Sequence, residues 1–199
     1  MMTTGLPTGT AVAACAGMLA LRSASEADRD FLQAVFFSVR AEEFINAGWS
    51  LAEIEPLLQE QFSIQDRYYR RHYPDACFDL VTLDGKPIGR LYHRWSADEV
   101  QIIDIALLPQ HRGAGIGSRL MHALVASASR RDLSMRLYVE IDNPVRSLYR
   151  RLGFVSCEQN GIYDLMRRKR STFAEVGDAP LIPGLQDLLQ PCLREAQTE

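Results

Sequence analysis

From His111 to Ser118 the chain reads His-Arg-Gly-Ala-Gly-Ile-Gly-Ser. Glycines at 113, 115 and 117 around the positive charge of Arg112, opening a helix, make a cradle for an anion. Glycine lets a phosphate approach the backbone, the N–H groups there lack helical partners, and the helix start carries partial positive charge. Arg112 adds a charged donor. Just upstream, Asp104 is the only ionisable side chain inside the apolar run 100–107. A carboxylate on a buried strand must find a partner or shift its pKa. Asp104 therefore reads either as a general base or as the structural partner of an arginine or a backbone group. Tyr138 and Glu140 on the following strand compete for the base role.

The elements that must hold these groups follow from pattern. Val100–Leu107 reads as a strand buried on both faces and stopped before Pro109. Strict alternation would put Gln101, Ile103, Ile105 and Leu107 on one face and Ile102, Asp104 and Ala106 on the other. Ile116, Leu120, Ala123 and Leu124 form the apolar stripe of the helix after the loop. Met135 to Glu140 is the next strand, parallel to the first because the connection is a crossover helix. Upstream, Met18–Arg22 reads as a strand. A helix capped at Ser23 or Ser25 follows, then a second from about Ser50 to His72. Cys77–Leu83 and Lys86–Trp95 form a hairpin around Asp84-Gly85. Asn143 to Leu152 reads as a short helix stopped by Gly153. Phe154–Gln159 and Ile162–Arg168 flank Asn160-Gly161 as a last hairpin.

The loop Arg112-Gly113-Ala114-Gly115-Ile116-Gly117 resembles the pyrophosphate loop R/Q-x-x-G-x-G/A of the GNAT superfamily of N-acetyltransferases. The run Asn143-Pro144-Val145-Arg146-Ser147-Leu148-Tyr149-Arg150-Arg151-Leu152-Gly153-Phe154 resembles a second block of that family, N-x-x-A-x-x-L-Y-x-x-L-G-F. The two stand in the family's order at a sensible distance. The rival is a dinucleotide loop, since Gly113, Gly115 and Ser118 give G-x-G-x-x-S and Glu140 could meet a ribose of NAD. Too few strand–helix units follow for that fold.

The resemblance implies an α/β (α+β) fold. Its mixed central sheet has six to seven strands, is flanked by about four helices and splays to form an acetyl-CoA cleft. It implies an acetyl-CoA-dependent transfer to a primary amine of a small molecule or peptide by direct transfer. Ile105, Ala106 and Leu107 would pair the pantetheine arm through their backbones. Arg112, Gly113, Ala114, Gly115, Ile116, Gly117 and Ser118 would hold the pyrophosphate, and Asn143 would touch the cofactor. The family spacing counted back from Tyr149 lands on Asp142, so either residue could take that place. Tyr149 matches the proton-donating tyrosine, and its reference pKa of about 10 lies above that of a thiol. Catalytic candidates are thus Tyr149 and Asp104. Gln65 and Tyr69, recurring with Gln61 and Tyr73 at helical spacing, are candidates for an acceptor pocket. The alternative function is a non-catalytic acyl-CoA-binding or interaction module of the same fold.

The 199 residues divide into an N-terminal extension (1–17), the transferase domain (18–170) and a tail (171–199). Leu185, Leu188, Leu189 and Leu193 suggest a short tail helix, docked on its own domain or forming a homodimer contact. A net charge of −3 gives no sign of a nucleic-acid partner. No run of about 20 apolar residues predicts a membrane span. Cys15, Cys77, Cys157 and Cys192 show no metal-ligand spacing and read as free thiols of a cytoplasmic protein.

Overall fold

The computed structural model describes residues 17–170. The tail helix and most of the N-terminal extension lie outside them. The elements run β1 (Leu19–Ser23), α1 (Arg29–Asn46), α2 (Leu51–His72), β2 (Cys77–Leu83), β3 (Lys86–Trp95), β4 (Glu99–Leu107), α3 (Ile116–Arg130), β5 (Ser134–Glu140), α4 (Arg146–Arg151), β6 (Val155–Asn160) and β7 (Tyr163–Arg168). The seven strands form one sheet in the order β1-β2-β3-β4-β5-β7-β6. Only β4 and β5 pair in parallel, as a crossover through α3 requires.

Short polar devices set the helix starts. Ser25 and Asp28 cap each other's backbone around a single 3-10 turn before α1, and Ser50 and Glu53 do the same before α2. The core has two parts, one on each side of the sheet. Ile116, Leu120, Leu124, Ile102, Leu137 and Tyr149 belong to one, under α3 and α4. Leu32, Phe36, Leu58, Phe62, Leu80 and Tyr92 form the other, under α1 and α2.

Two irregularities shape the centre of the sheet. Pairing between β4 and β5 runs from Glu99↔Ser134 to Ile102↔Leu137 and stops there, although both strands continue. The sheet therefore splays, as the resemblance implied. At the same level β4 bulges against β3: Ile102 faces His93, Asp104 faces Tyr92, and Ile103 is the extra residue. The bulge corrects the strict alternation read from sequence. Ile102 joins Ile105 and Leu107 on the α3 side, while Ile103 packs with the α1–α2 core.

Gly89 keeps β3 close to the far end of β4. A Cβ at Gly89 would lie 2.3 Å from the Ala106 carbonyl oxygen and 3.0 Å from Leu107 Cα, both backbone atoms. Gly89→Ala is expected to cost roughly 1–3 kcal/mol by forcing β4 outward. It should also weaken acetyl-CoA binding, because the displaced residues border the cleft. Urea unfolding and a ligand titration of the same variant check both effects.

Under β2 and β3 a buried polar string replaces apolar packing. The Trp95 indole N–H donates to His93 Nδ1 at 2.8 Å. An indole nitrogen only donates, so Nδ1 accepts, and His93 Nε2–H donates to Asp79 at 3.0 Å. Folding brings Cys77 beside this pair, a cluster that sequence spacing did not show. Cys77 is disulfide-bonded, which corrects the reading of all four cysteines as free thiols. Cys157 is free and exposed. No helix among the described residues is long and apolar enough to cross a membrane.

Candidate active site

Where β4 and β5 part, a cavity of about 730 Å³ opens between them. Its floor is Ile102–Leu107 of β4 and Leu137–Glu140 of β5, and α1, α2, α3 and the segment around α4 supply its walls. From Ile103 onward the β4 edge that faces β5 has no strand partner. A chain of amides can pair with such an edge as a peptide strand would. Ile105, Ala106 and Leu107, the residues expected to do this, all border the cavity.

At one end stands the glycine loop. Gly113 and Gly115 have φ of 74° and 77°, a region that side chains with a Cβ rarely adopt. Gly115 is the N-cap of α3, so the helix begins without a capping side chain. A Cβ at Gly113, Gly115 or Gly117 would meet nothing within 4 Å, which leaves the cradle open for a phosphate. Arg112 and Gly117 border the cavity itself, whereas Ser118 is not part of its lining. The side chains of Ala114 and Ile116 pack into the core, so only their backbones are available to a ligand.

Arg112 is engaged by the protein itself. Its Nε donates to the Leu107 carbonyl at 2.8 Å, and Nη2 donates to the Ser38 carbonyl and hydroxyl at 3.1 and 3.2 Å. The residue thus ties the end of β4 and the loop to α1. Asn143 borders the cavity and Asp142 does not. The Asn143 side-chain oxygen accepts the Val145 N–H at 3.0 Å and shapes the entry to α4. That helix is shorter than the span read from sequence, beginning at Arg146. Pro144 follows Asn143 immediately, and the residues before Arg146 form turns instead. Arg146 then anchors it by donating to Asp164 and to the Ile141 carbonyl at 2.6 Å.

Tyr149, on α4, is 5% exposed and lines the cavity. Its ring packs near Phe154, with centroids 6.0 Å apart. Its hydroxyl has no hydrogen-bond partner among the described residues. Burial first, and the negative charge of Asp104 second, push its pKa up to about 12. The phenol therefore stays protonated throughout the physiological range.

Asp104 meets Arg90 of β3, with Nη2 donating to Oδ2 at 2.7 Å. The same Nη2 donates to Gln65 Oε1 at 3.3 Å. Burial works against the Arg90 charge, but Asp104 and the neighbouring Tyr92 and Tyr69 rings outweigh it and hold its pKa up. Of the helical-spacing residues on α2, Gln61 and Gln65 line the cavity. Tyr69 packs edge-on against Tyr92, and Tyr73 accepts a hydrogen bond from Gln101. Sequence reasoning missed Arg90 and the α1 residues Phe36, Arg40 and Glu43, which also line the cavity. Arg90 carried little signal, since β3 also holds Lys86, His93 and Arg94.

Tyr69, Tyr92 and Tyr149 all have raised pKa values, led in each case by burial; Tyr92 is pushed up to about 12. In the unfolded chain these phenols lose protons near pH 10, while the folded protein keeps them. Stability present below pH 10 should therefore fall as pH rises toward 12. Urea midpoints measured from pH 8 to 11.5 check this; a flat profile above pH 10 would contradict it.

The family model described as the acetyltransferase (GNAT) family matches residues 43–154, more than half of the chain. The chain belongs to this family. It is an acyltransferase with acetyl-CoA as donor. No curated protein sequence matches it. Among solved structures, it is similar to the PaiA N-acetyltransferase of Thermoplasma acidophilum in complex with coenzyme A. The two share 23% identity and a TM-score of 0.56 over 76% of this chain and 98% of that one. The histone acetyltransferase HPA2 and related acetyltransferase of Corynebacterium glutamicum ATCC 13032 gives 18% and 0.56 over 78% and 98%. PH1933 of Pyrococcus horikoshii OT3 gives 16% and 0.59 over 77% and 99%. At these identities the likeness is one of fold. The GNAT match covers α2 through α4 and so includes the loop, both splayed strands and Tyr149. The open cradle and the unpaired β4 edge fit the donor: one suits a pyrophosphate, the other an amide arm.

Proposed function

We propose that the protein transfers the acetyl group of acetyl-CoA directly to a primary amine of a small molecule or peptide, with Tyr149 as general acid. The observation that carries this is the placement of a protonated, unpartnered Tyr149 hydroxyl in the cleft beside the free β4 edge. The donor supplies an activated thioester. The loop 112–118 and Asn143 hold its polar end, and the backbone of Ile105–Leu107 aligns its arm. A main-chain N–H of β4 polarises the carbonyl oxygen, a donor of the kind worth about 3 kcal/mol in a dry site. Tyr149 holds a proton at its hydroxyl oxygen and gives it to the departing sulfur as the C–S bond breaks; the phenolate left behind is the stronger base and regains a proton from solvent. Asp104 offers Oδ1, which has no hydrogen-bond partner among the described residues, to the incoming ammonium. There it orients the amine, whose nitrogen gives one proton to solvent before attack and a second as the amide forms.

The test is turnover. The protein is mixed with acetyl-CoA and a panel of primary amines, and free thiol is followed together with the mass of the product. Stoichiometric thiol and acetylated amine are expected. Thiol release with no acetylated amine for any member of the panel would contradict direct transfer.

A further inference from the structure

The acceptor half of the cavity contains a buried ion pair that is only half used. Arg90 is 4% exposed and lines the cavity. All of its side-chain hydrogen bonds to the described residues leave from Nη2, to Asp104 and Gln65. Its Nε is buried with no partner, and Nη1 has none among the described residues. A guanidinium offers five N–H donors, so most of this one is idle in a place where idle donors are costly. Asp104 is bound through Oδ2 alone, and it too lines the cavity. One ion pair thus presents an open cationic donor and an open anionic acceptor to the same space.

We infer that this pair recognises a zwitterion, and that the acetyl acceptor is an α-amino acid. Arg90 Nη1 takes the carboxylate and Asp104 Oδ1 takes the ammonium. The inference rests on the acetyltransferase reading above and names the acceptor class for it. Charge sets the choice among amines. The Arg90–Asp104 pair sums to zero, as does a zwitterionic ligand, so binding buries no net charge. A decarboxylated amine would leave Arg90 as idle as before. An amide would give it only a neutral oxygen, and charge-assisted bonds are about twice as strong. Gln65 accepts from the same Nη2 that Asp104 uses, which leaves the other edge of the guanidinium to the ligand.

Isothermal titration of the full-length protein saturated with coenzyme A tests this. The ligands are matched triples sharing one side chain: the amino acid, its amide and its decarboxylated amine. The amino acid of at least one triple is expected to bind at least about tenfold more tightly than both companions. Arg90→Gln should abolish that preference while leaving the affinity for coenzyme A unchanged. If that variant does not fold, Arg90→Gln with Asp104→Asn removes both charges and makes the same prediction. Equal or tighter binding of the amides or amines, or binding of no panel member, overturns the proposal. A preference that survives either variant overturns it too. Failure of coenzyme A itself to bind is a separate outcome, read before any triple is added, and rejects the acetyltransferase reading together with this inference.

Discussion

Tyr149→Phe is expected to lower kcat by a factor of about 10² to 10⁴ while leaving the fold and the affinity for acetyl-CoA nearly unchanged. The tyrosine hydroxyl donates to no described residue, so its removal strands no buried partner. The ring keeps its contact with Phe154, and the replacement is isosteric. The loss should therefore appear in kcat, and urea unfolding should show a midpoint close to wild type. Because burial pushes the phenol up to about 12, its ionisation should add no alkaline limb to the rate profile below about pH 11. A rate equal to wild type, measured with any acceptor that turns over, would remove Tyr149 from the mechanism.

The second large effect is on stability. Asp104→Ala leaves the Arg90 guanidinium buried without its anion, at an expected cost of about 3–5 kcal/mol. The Asp104 carboxylate is 14% exposed and the Arg90 side chain 4%, so water can screen the remaining charge only weakly. Replacing both together, Asp104→Leu with Arg90→Met, removes both charges and should recover most of the loss. Such a double variant would be folded and would have lost the acceptor site. Additive losses in the double variant would show that the pair is not coupled.

The backbone of the glycine loop and the family resemblance were legible because they depend on residue types at fixed spacing. Glycines at 113 and 115 are required by left-handed backbone, and Tyr149, Gly153 and Phe154 sit at set intervals along one short segment. The hairpins at Asp84-Gly85 and Asn160-Gly161 were legible for the same reason. The acceptor end was not. Arg90 and Asp104 are on neighbouring strands, and no local pattern says which lone charge pairs with which. The bulge at Ile103 was equally hidden, since a nearly continuous apolar run gives no sign of an inserted residue. It matters because the bulge, at the splay point, decides which β4 side chains face α1 and α2. The tie from Arg112 to Ser38 depends on a contact between segments far apart in the chain.

If the gap between β4 and β5 is an acetyl-CoA site, acetyl-CoA must stabilise the fold, and thermal unfolding with acetyl-CoA, and separately with NAD, measures this. At about 100 times its dissociation constant a ligand should stabilise the protein by about 2.7 kcal/mol, a readable rise in Tm. We predict that rise with acetyl-CoA and none with NAD. A rise with NAD alone, or with neither ligand, would contradict the account.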